Sequence, residues 1–101
     1  MLNIEKTPKN DTLTVALEGR LDTVTAPDLE KALSPIPEGV NTLVYDFSKL
    51  DYISSAGLRV LVATQKTMMG RGGSLTIKHP NDEVFEVFEM TGLSEVLDIE
   101  H

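Results

Sequence analysis

The chain has 101 residues, 41% hydrophobic and 25% charged, and its 16 acids against 9 bases give a net charge of −7. That length holds one domain with a two-layer core but not two. The absence of cysteine excludes a disulfide framework and a thiolate metal site, and the acidic balance argues against nucleic-acid or anionic-membrane surfaces, which need clustered Lys and Arg. No run approaches the roughly 18 apolar residues of a membrane span. The N-terminus lacks the basic-then-apolar pattern of a secretory signal, so the cytoplasm is the expected location.

In chain order, Leu2 to Lys6 is expected as a first, edge-like strand, with Thr7-Pro8-Lys9-Asn10-Asp11 turning the chain. Thr12 to Glu18 alternates strictly, with Leu13, Val15 and Leu17 on one side, as a half-buried strand antiparallel to the first would. Gly19 and Asp22 mark its exit. Thr25 to Asp28 fits a capping box, with Pro27 in the first turn where its missing N–H costs little. The helix should carry Leu29, Ala32 and Leu33 inward and stop before Pro35, because a residue preceding proline avoids the α region. Pro35 to Asn41 is then a loop.

The stretch Leu43 to Met69 follows. Leu43-Val44-Tyr45, closed by Asp46-Phe47, reads as a short buried strand. Ser48 to Ser54 reads as a polar loop anchored by Leu50 and Ile53, and a helix begins at or near Ser55. Leu58, Leu61, Val62, Met68 and Met69 lie on one stripe of that helix. Gly70-Arg71-Gly72-Gly73 ends it. This glycine-rich loop follows a helix and so sits at the negative end of the dipole, whereas phosphate cradles open a helix.

Ser74 to Lys78 reads as a fourth strand with Leu75 and Ile77 inward. Asn81 then caps a helix whose apolar side is Val84, Phe85, Val87 and Phe88, ending at Gly92. Leu93, Val96, Leu97 and Ile99 suggest a short closing segment with the character of a marginal strand. The order β-β-α-β-α-β-α predicts an α/β fold: a small mixed four- to five-stranded sheet, two right-handed crossovers, and helices mainly on one face.

The candidate site is the strand–loop–helix junction, where open α/β sheets keep their functional residues. Of Ser54 and Ser55, one hydroxyl can cap the helix and the other is spare, and Ala56-Gly57 leave the approach to it uncrowded. A phosphate there would add about −1.5 to −2 charges. It would face the positive end of the helix dipole, so the cost would fall on a partner surface shaped for a neutral hydroxyl. Asp22, Asp46 and Asp51 are expected to approach one another near the strand ends, as turn and capping residues rather than as metal ligands or catalysts. His79 and His101 belong to no motif that ties them to a serine, and Arg59 and Arg71 read as solvated or locally paired. No catalytic set, cofactor or metal site is expected.

The segment DFSKLDYISSAGLRVL resembles the signature of the STAS domain, specifically of stand-alone anti-sigma factor antagonists. Glu18-Gly19-Arg20-Leu21-Asp22 resembles the family's Gly-x-Leu-Asp stretch, and Thr25-Ala26-Pro27-Asp28-Leu29 resembles the start of its first helix. The resemblance covers residues 1–101 as a single STAS domain. It implies a non-enzymatic protein-binding switch whose partners are an anti-sigma factor serine kinase and a serine phosphatase, with no direct contact to nucleic acid or membrane. The kinase would phosphorylate the serine before the small-Gly pair, which is Ser55 here, with Ser54 as the second candidate. The partner-facing residues implied are Asp22, Asp46, Ser54, Ser55, Ala56, Gly57, Leu58 and Arg59. The family's best-known members place Asp before the modified serine, where this chain has Ser54. That substitution keeps a second reading in view, a STAS structural subunit that clamps a partner ATPase without being phosphorylated.

Overall fold

Among the described residues, Leu2–His101, the computed structural model contains five strands and three α-helices. They run β1 (Leu2–Lys9), β2 (Thr12–Leu21), α1 (Ala26–Ala32), β3 (Thr42–Ile53), α2 (Ser55–Gly70), β4 (Ser74–Lys78), α3 (Asp82–Thr91) and β5 (Asp98–Glu100). A 3₁₀ turn, Leu93–Glu95, separates the last two. The sheet keeps sequence order, β1-β2-β3-β4-β5, with β1 antiparallel to β2 and every other pair parallel.

The period-2 pattern sets the register. Leu13, Leu43 and Leu75 form one rung across β2, β3 and β4, and Val15, Tyr45 and Ile77 form the next. All six are buried. Leu29 and Leu33, Leu58 and Leu61, and Val84 and Phe88 join the same apolar cluster. One face of the sheet is therefore covered by helices, and the other shows half-exposed Thr14, Ala16, Val44, Asp46, Thr76 and Lys78. The Phe47 and Phe88 rings stack at 6.3 Å between centroids. Tyr45, wholly buried, bonds its hydroxyl to Thr64 Oγ1 at 2.9 Å, which avoids an unpaired polar group in the core. Burial pushes the Tyr45 phenol well above its ordinary pKa.

Several boundaries differ from the sequence expectation, each for a physical reason. β1 continues through Thr7 and Pro8 to Lys9, and the turn is Asn10-Asp11, with Asn10 left-handed at φ 58°. Pro8 is tolerated because an edge strand has a side that needs no N–H donor. β3 does not stop at Phe47 but runs to Ile53, and β2 runs beside it to Leu21. Register shifts between Ala16 and Glu18 and between Gly19 and Arg20 change the inward period there. Buried Leu50 and Ile53 are spaced by three residues instead of two, so the segment looks like a loop in sequence. β5 adds a third parallel crossover to the two expected.

On α2 the buried stripe is Leu58, Val60, Leu61, Thr64 and Met68, not the stripe through Val62 and Met69. Each residue turns the helix by about 100°, so Met69 follows Met68 off the buried face and is 66% exposed. Of the two expectations for Arg71, local pairing is the one observed. Its guanidinium donates to the carbonyls of Pro37 at 2.7 Å, Val40 at 3.1 Å and Ile36 at 3.2 Å, fastening the α1–β3 loop to the end of α2.

Candidate functional site

The junction between β3 and α2 is built from its buried side outward. Ile53, 2% exposed, anchors the end of β3. The next amide, Ser54 N–H, donates to the Leu21 carbonyl at 2.9 Å and ties the ends of β3 and β2 together. Ser54 is extended (φ −102°, ψ 174°), and its Oγ accepts from the Gly57 amide at 3.4 Å, as an N-cap does. Gly57 is required by contact. A Cβ there would lie 2.6 Å from Leu21 Cγ and 3.0 Å from Ile53 Cγ1, so the first turn of α2 presses directly on both strand ends.

That arrangement separates the two serines. Ser54 is half-buried and occupied as the cap, whereas Ser55, the first residue of α2, is exposed. Among the described residues its hydroxyl has no hydrogen-bond partner. Ala56 is half-buried, and Leu58 lies beneath the surface as the floor of a groove it shares with Ser55, Arg59 and Val62. Arg59 is exposed and also borders a second groove, between α1 and α2, whose lining includes Glu30.

Asp22 organises the adjoining β2–α1 turn. Its Oδ1 accepts from the amides of Val24 and Thr25, both at 3.0 Å. The Thr25 hydroxyl accepts from the Asp22 amide at 2.9 Å and donates to the Arg20 carbonyl at 2.8 Å. The expected capping box therefore does not form: Thr25 makes no side-chain cap and points back into the end of β2. The amide of Thr25 above all holds the Asp22 carboxyl below its ordinary pKa, against the opposing effect of desolvation. The Thr25 hydroxyl, the Val24 amide and Arg20 act in the same direction as that amide.

The other two aspartates lie elsewhere. Asp46 is eight residues before Ser54, roughly 25 Å of extended chain. It points to the uncovered face, because its neighbours Tyr45 and Phe47 point to the core. It accepts from the Ser48 amide at 3.0 Å and borders a shallow groove with Asn3, Glu5 and Glu18. Asp51 sits with Asn81, Asp82 and Glu83 at the start of α3. The expected meeting of Asp22, Asp46 and Asp51 does not occur, and Asp46 is not part of the Ser55 surface. Among the described residues no group of three His, Cys, Asp or Glu is placed to hold a metal ion.

The structure adds residues that the sequence pattern hid. The Arg20 guanidinium lies over the Tyr52 ring at 4.2 Å, and its Nε is 3.9 Å from Asp22 Oδ2. Tyr52, 38% exposed, and Val24, 82% exposed, thus flank the junction on a rim braced by Asp22 and Arg20. Tyr52 was concealed by the register shifts that disguise this end of β3. Val24 carried no signal beyond a lone apolar residue in a turn. An exposed, unbonded hydroxyl on such a rim can gain a charge without disturbing the core behind it.

The family model "Mlab, STAS domain" matches residues 4–98. The anti-sigma-B factor antagonist of Bacillus subtilis is 30% identical over 98 residues, which cover 97% of this chain and 90% of that protein. The crystal structure of an anti-sigma factor antagonist from Mycobacterium paratuberculosis shares the fold at a TM-score of 0.88 and 24% identity, over 99% of this chain and 86% of that one. The Bacillus cell fate determinant SpoIIAA, solved in its phosphorylated form, shares it at 0.75 and 19% identity, over 98% and 90% of the two chains. No helix among the described residues is long and apolar enough to cross a membrane. With its sheet order, its β3–α2 junction and its end-to-end match, the chain belongs to the STAS domain family.

Proposed function

We propose that this chain is an anti-sigma factor antagonist switched by phosphorylation of Ser55. Unphosphorylated, it binds an anti-sigma factor serine kinase in the cytoplasm and releases the sigma factor. The kinase transfers the γ-phosphoryl group of ATP to Ser55 Oγ. The new O–P bond forms as the bond to the β-phosphate breaks, the hydroxyl proton leaves, and ADP is the product. A serine phosphatase reverses the state. The observation that carries this reading is the division between Ser54, whose oxygen caps α2, and Ser55, whose hydroxyl is exposed and unbonded. The names of the Bacillus relative and of the solved neighbours support the same class of partner.

The contact surface proposed is Ser55, Ala56 and Arg59 on α2 together with the Asp22 turn, with Ser54, Gly57 and Leu58 shaping it from below. A dianion facing a partner group matched to a neutral hydroxyl costs about 2–5 kcal/mol, some 30- to several-thousand-fold in affinity. The test measures binding to an anti-sigma factor serine kinase of the same organism. Ser55→Ala should keep the affinity and Ser55→Glu should reduce it at least tenfold. Equal binding by the two variants would overturn the switch.

One observation favours a second reading. The position before Ser55 carries a capping serine and no acid, so a STAS subunit that clamps a partner ATPase without phosphorylation is also compatible. Incubation with the kinase and ATP, followed by intact mass measurement, distinguishes them. Gain of one phosphate mapped to Ser55 selects the switch, and none selects the clamp.

A further inference from the structure

Arg59 stands out among the cations by its place, one helical turn after Ser55 at the start of α2. It is exposed, and among the described residues it enters no ion pair, whereas Arg20 is held by Asp22 and Lys78 by Glu100. It lies four residues after Ser55 on the same helix, a spacing that brings Cβ atoms within about 5–6 Å. Both residues border one groove. An anion at the earlier position and a cation at the later one is also the favourable order along a helix. The charged groups around Arg59 are few. Glu30 of α1 shares its second groove, and Lys66 lies further along α2 in the first. Arg20 and Asp22 at the rim are paired with each other.

We propose that Arg59 is an internal counter-ion for the modified residue: when Ser55 carries a phosphate, the guanidinium one turn later donates to the phosphate oxygens and holds the group against α2. The inference rests on Ser55 being the phosphorylated residue. A guanidinium can present two parallel N–H donors to a phosphate, which a point charge cannot. Glu30 forms no ion pair with Arg59, and a phosphate dianion would carry about twice its charge. The modification thereby changes two features of the surface together, adding a phosphate and withdrawing a cation that the partner would otherwise meet.

The test installs phosphoserine at position 55 during synthesis, so that no kinase is needed, and follows the second phosphate ionisation by phosphorus NMR. A neighbouring cation favours the dianion, so the phosphate pKa should be lower in the otherwise unaltered protein than with Arg59→Gln, by roughly 0.3 or more. Arg59→Lys should recover part of the difference. Lys66→Gln is the control. It removes the same charge from the same groove, but eleven residues from Ser55, about 16 Å along the helix. That is beyond the screening length of about 8–10 Å at ordinary salt, so it should leave the titration unchanged. A titration unmoved by Arg59→Gln, or moved equally by Lys66→Gln, overturns the counter-ion. Failure of the switch itself would look different: the phosphoprotein would keep its affinity for the kinase whatever the titration shows.

Discussion

Replacing each serine of the junction by alanine should give different results for stability. Ser54→Ala removes the oxygen that accepts from the Gly57 amide and leaves that donor at a half-buried helix start. Loss of an N-cap costs about 0.5–2 kcal/mol. The bond is long, 3.4 Å, which places the expectation in the lower half, about 0.5–1 kcal/mol. For a domain of this size that is a fall in Tm of roughly 2–6 °C. Ser55→Ala removes an exposed, unbonded hydroxyl from a helical position where alanine is the better helix former, so stability should hold or rise by a few tenths of a kcal/mol. Urea unfolding followed by circular dichroism measures both, and equal slopes confirm that the unfolding reaction is the same. If Ser55→Ala destabilises as much as Ser54→Ala, the roles of the two hydroxyls are reversed. The modified residue must then be sought at Ser54.

Gly57→Ala places a methyl group against Leu21 and Ile53. Overpacking of about 1–3 kcal/mol opposes the gain of roughly 1 kcal/mol from replacing a helical glycine. The expected net effect is between zero and about 2 kcal/mol destabilising in urea melts, and a clear stabilisation would refute the contact. Asp22 has a lowered pKa in the fold, so its contribution to stability is complete above the unfolded carboxyl value and is lost as pH falls through the lower folded one. Asp22→Asn should therefore flatten the acid side of the stability–pH profile below about pH 4 while leaving its alkaline side unchanged. An acid limb identical to that of the parent protein would show that the turn does not depend on the carboxylate.

Where side chains alternate strictly, the fold is legible in the sequence. The inward rows of β2, β4 and the first half of β3 are plain, and so are the cap at Asn81 and the stop at Gly92, whereas the choice of Ser54 over Ser55 as the cap of α2 is settled only by the structure. Legibility failed where a register shift broke the period. Ser48 to Ile53 looks polar because two outward residues separate each buried one there, and the sequence does not announce the extra residues that β3 carries against β2 at the two register shifts. Capping at α1 failed for another reason. Thr25 and Asp28 have the right spacing, but Asp22 takes the Thr25 amide from the preceding turn and the Asp28 amide donates to the Thr25 carbonyl instead, an outcome decided by the path of the chain. Asp46 was misplaced by assuming that strand aspartates gather at strand ends, whereas its position was fixed by the parity of Tyr45 and Phe47.

The exposed hydroxyl of Ser55 sits two residues before a tight contact between helix and sheet, and the two facts are connected. Gly57 allows α2 to begin hard against Leu21 and Ile53, so the helix start cannot shift inward when its first residue gains charge. The cap from Ser54 and the Leu21 carbonyl bond hold it from the other side. A rigid start means that a charge at Ser55 has little conformational outlet in the fold beyond the reach of Arg59. Its effect must then appear at whatever docks on the rim of Val24, Tyr52 and Ala56. Under the proposed switch this rigidity is an advantage: the two states would share one core, and the difference between them would be confined to the surface that the partner reads.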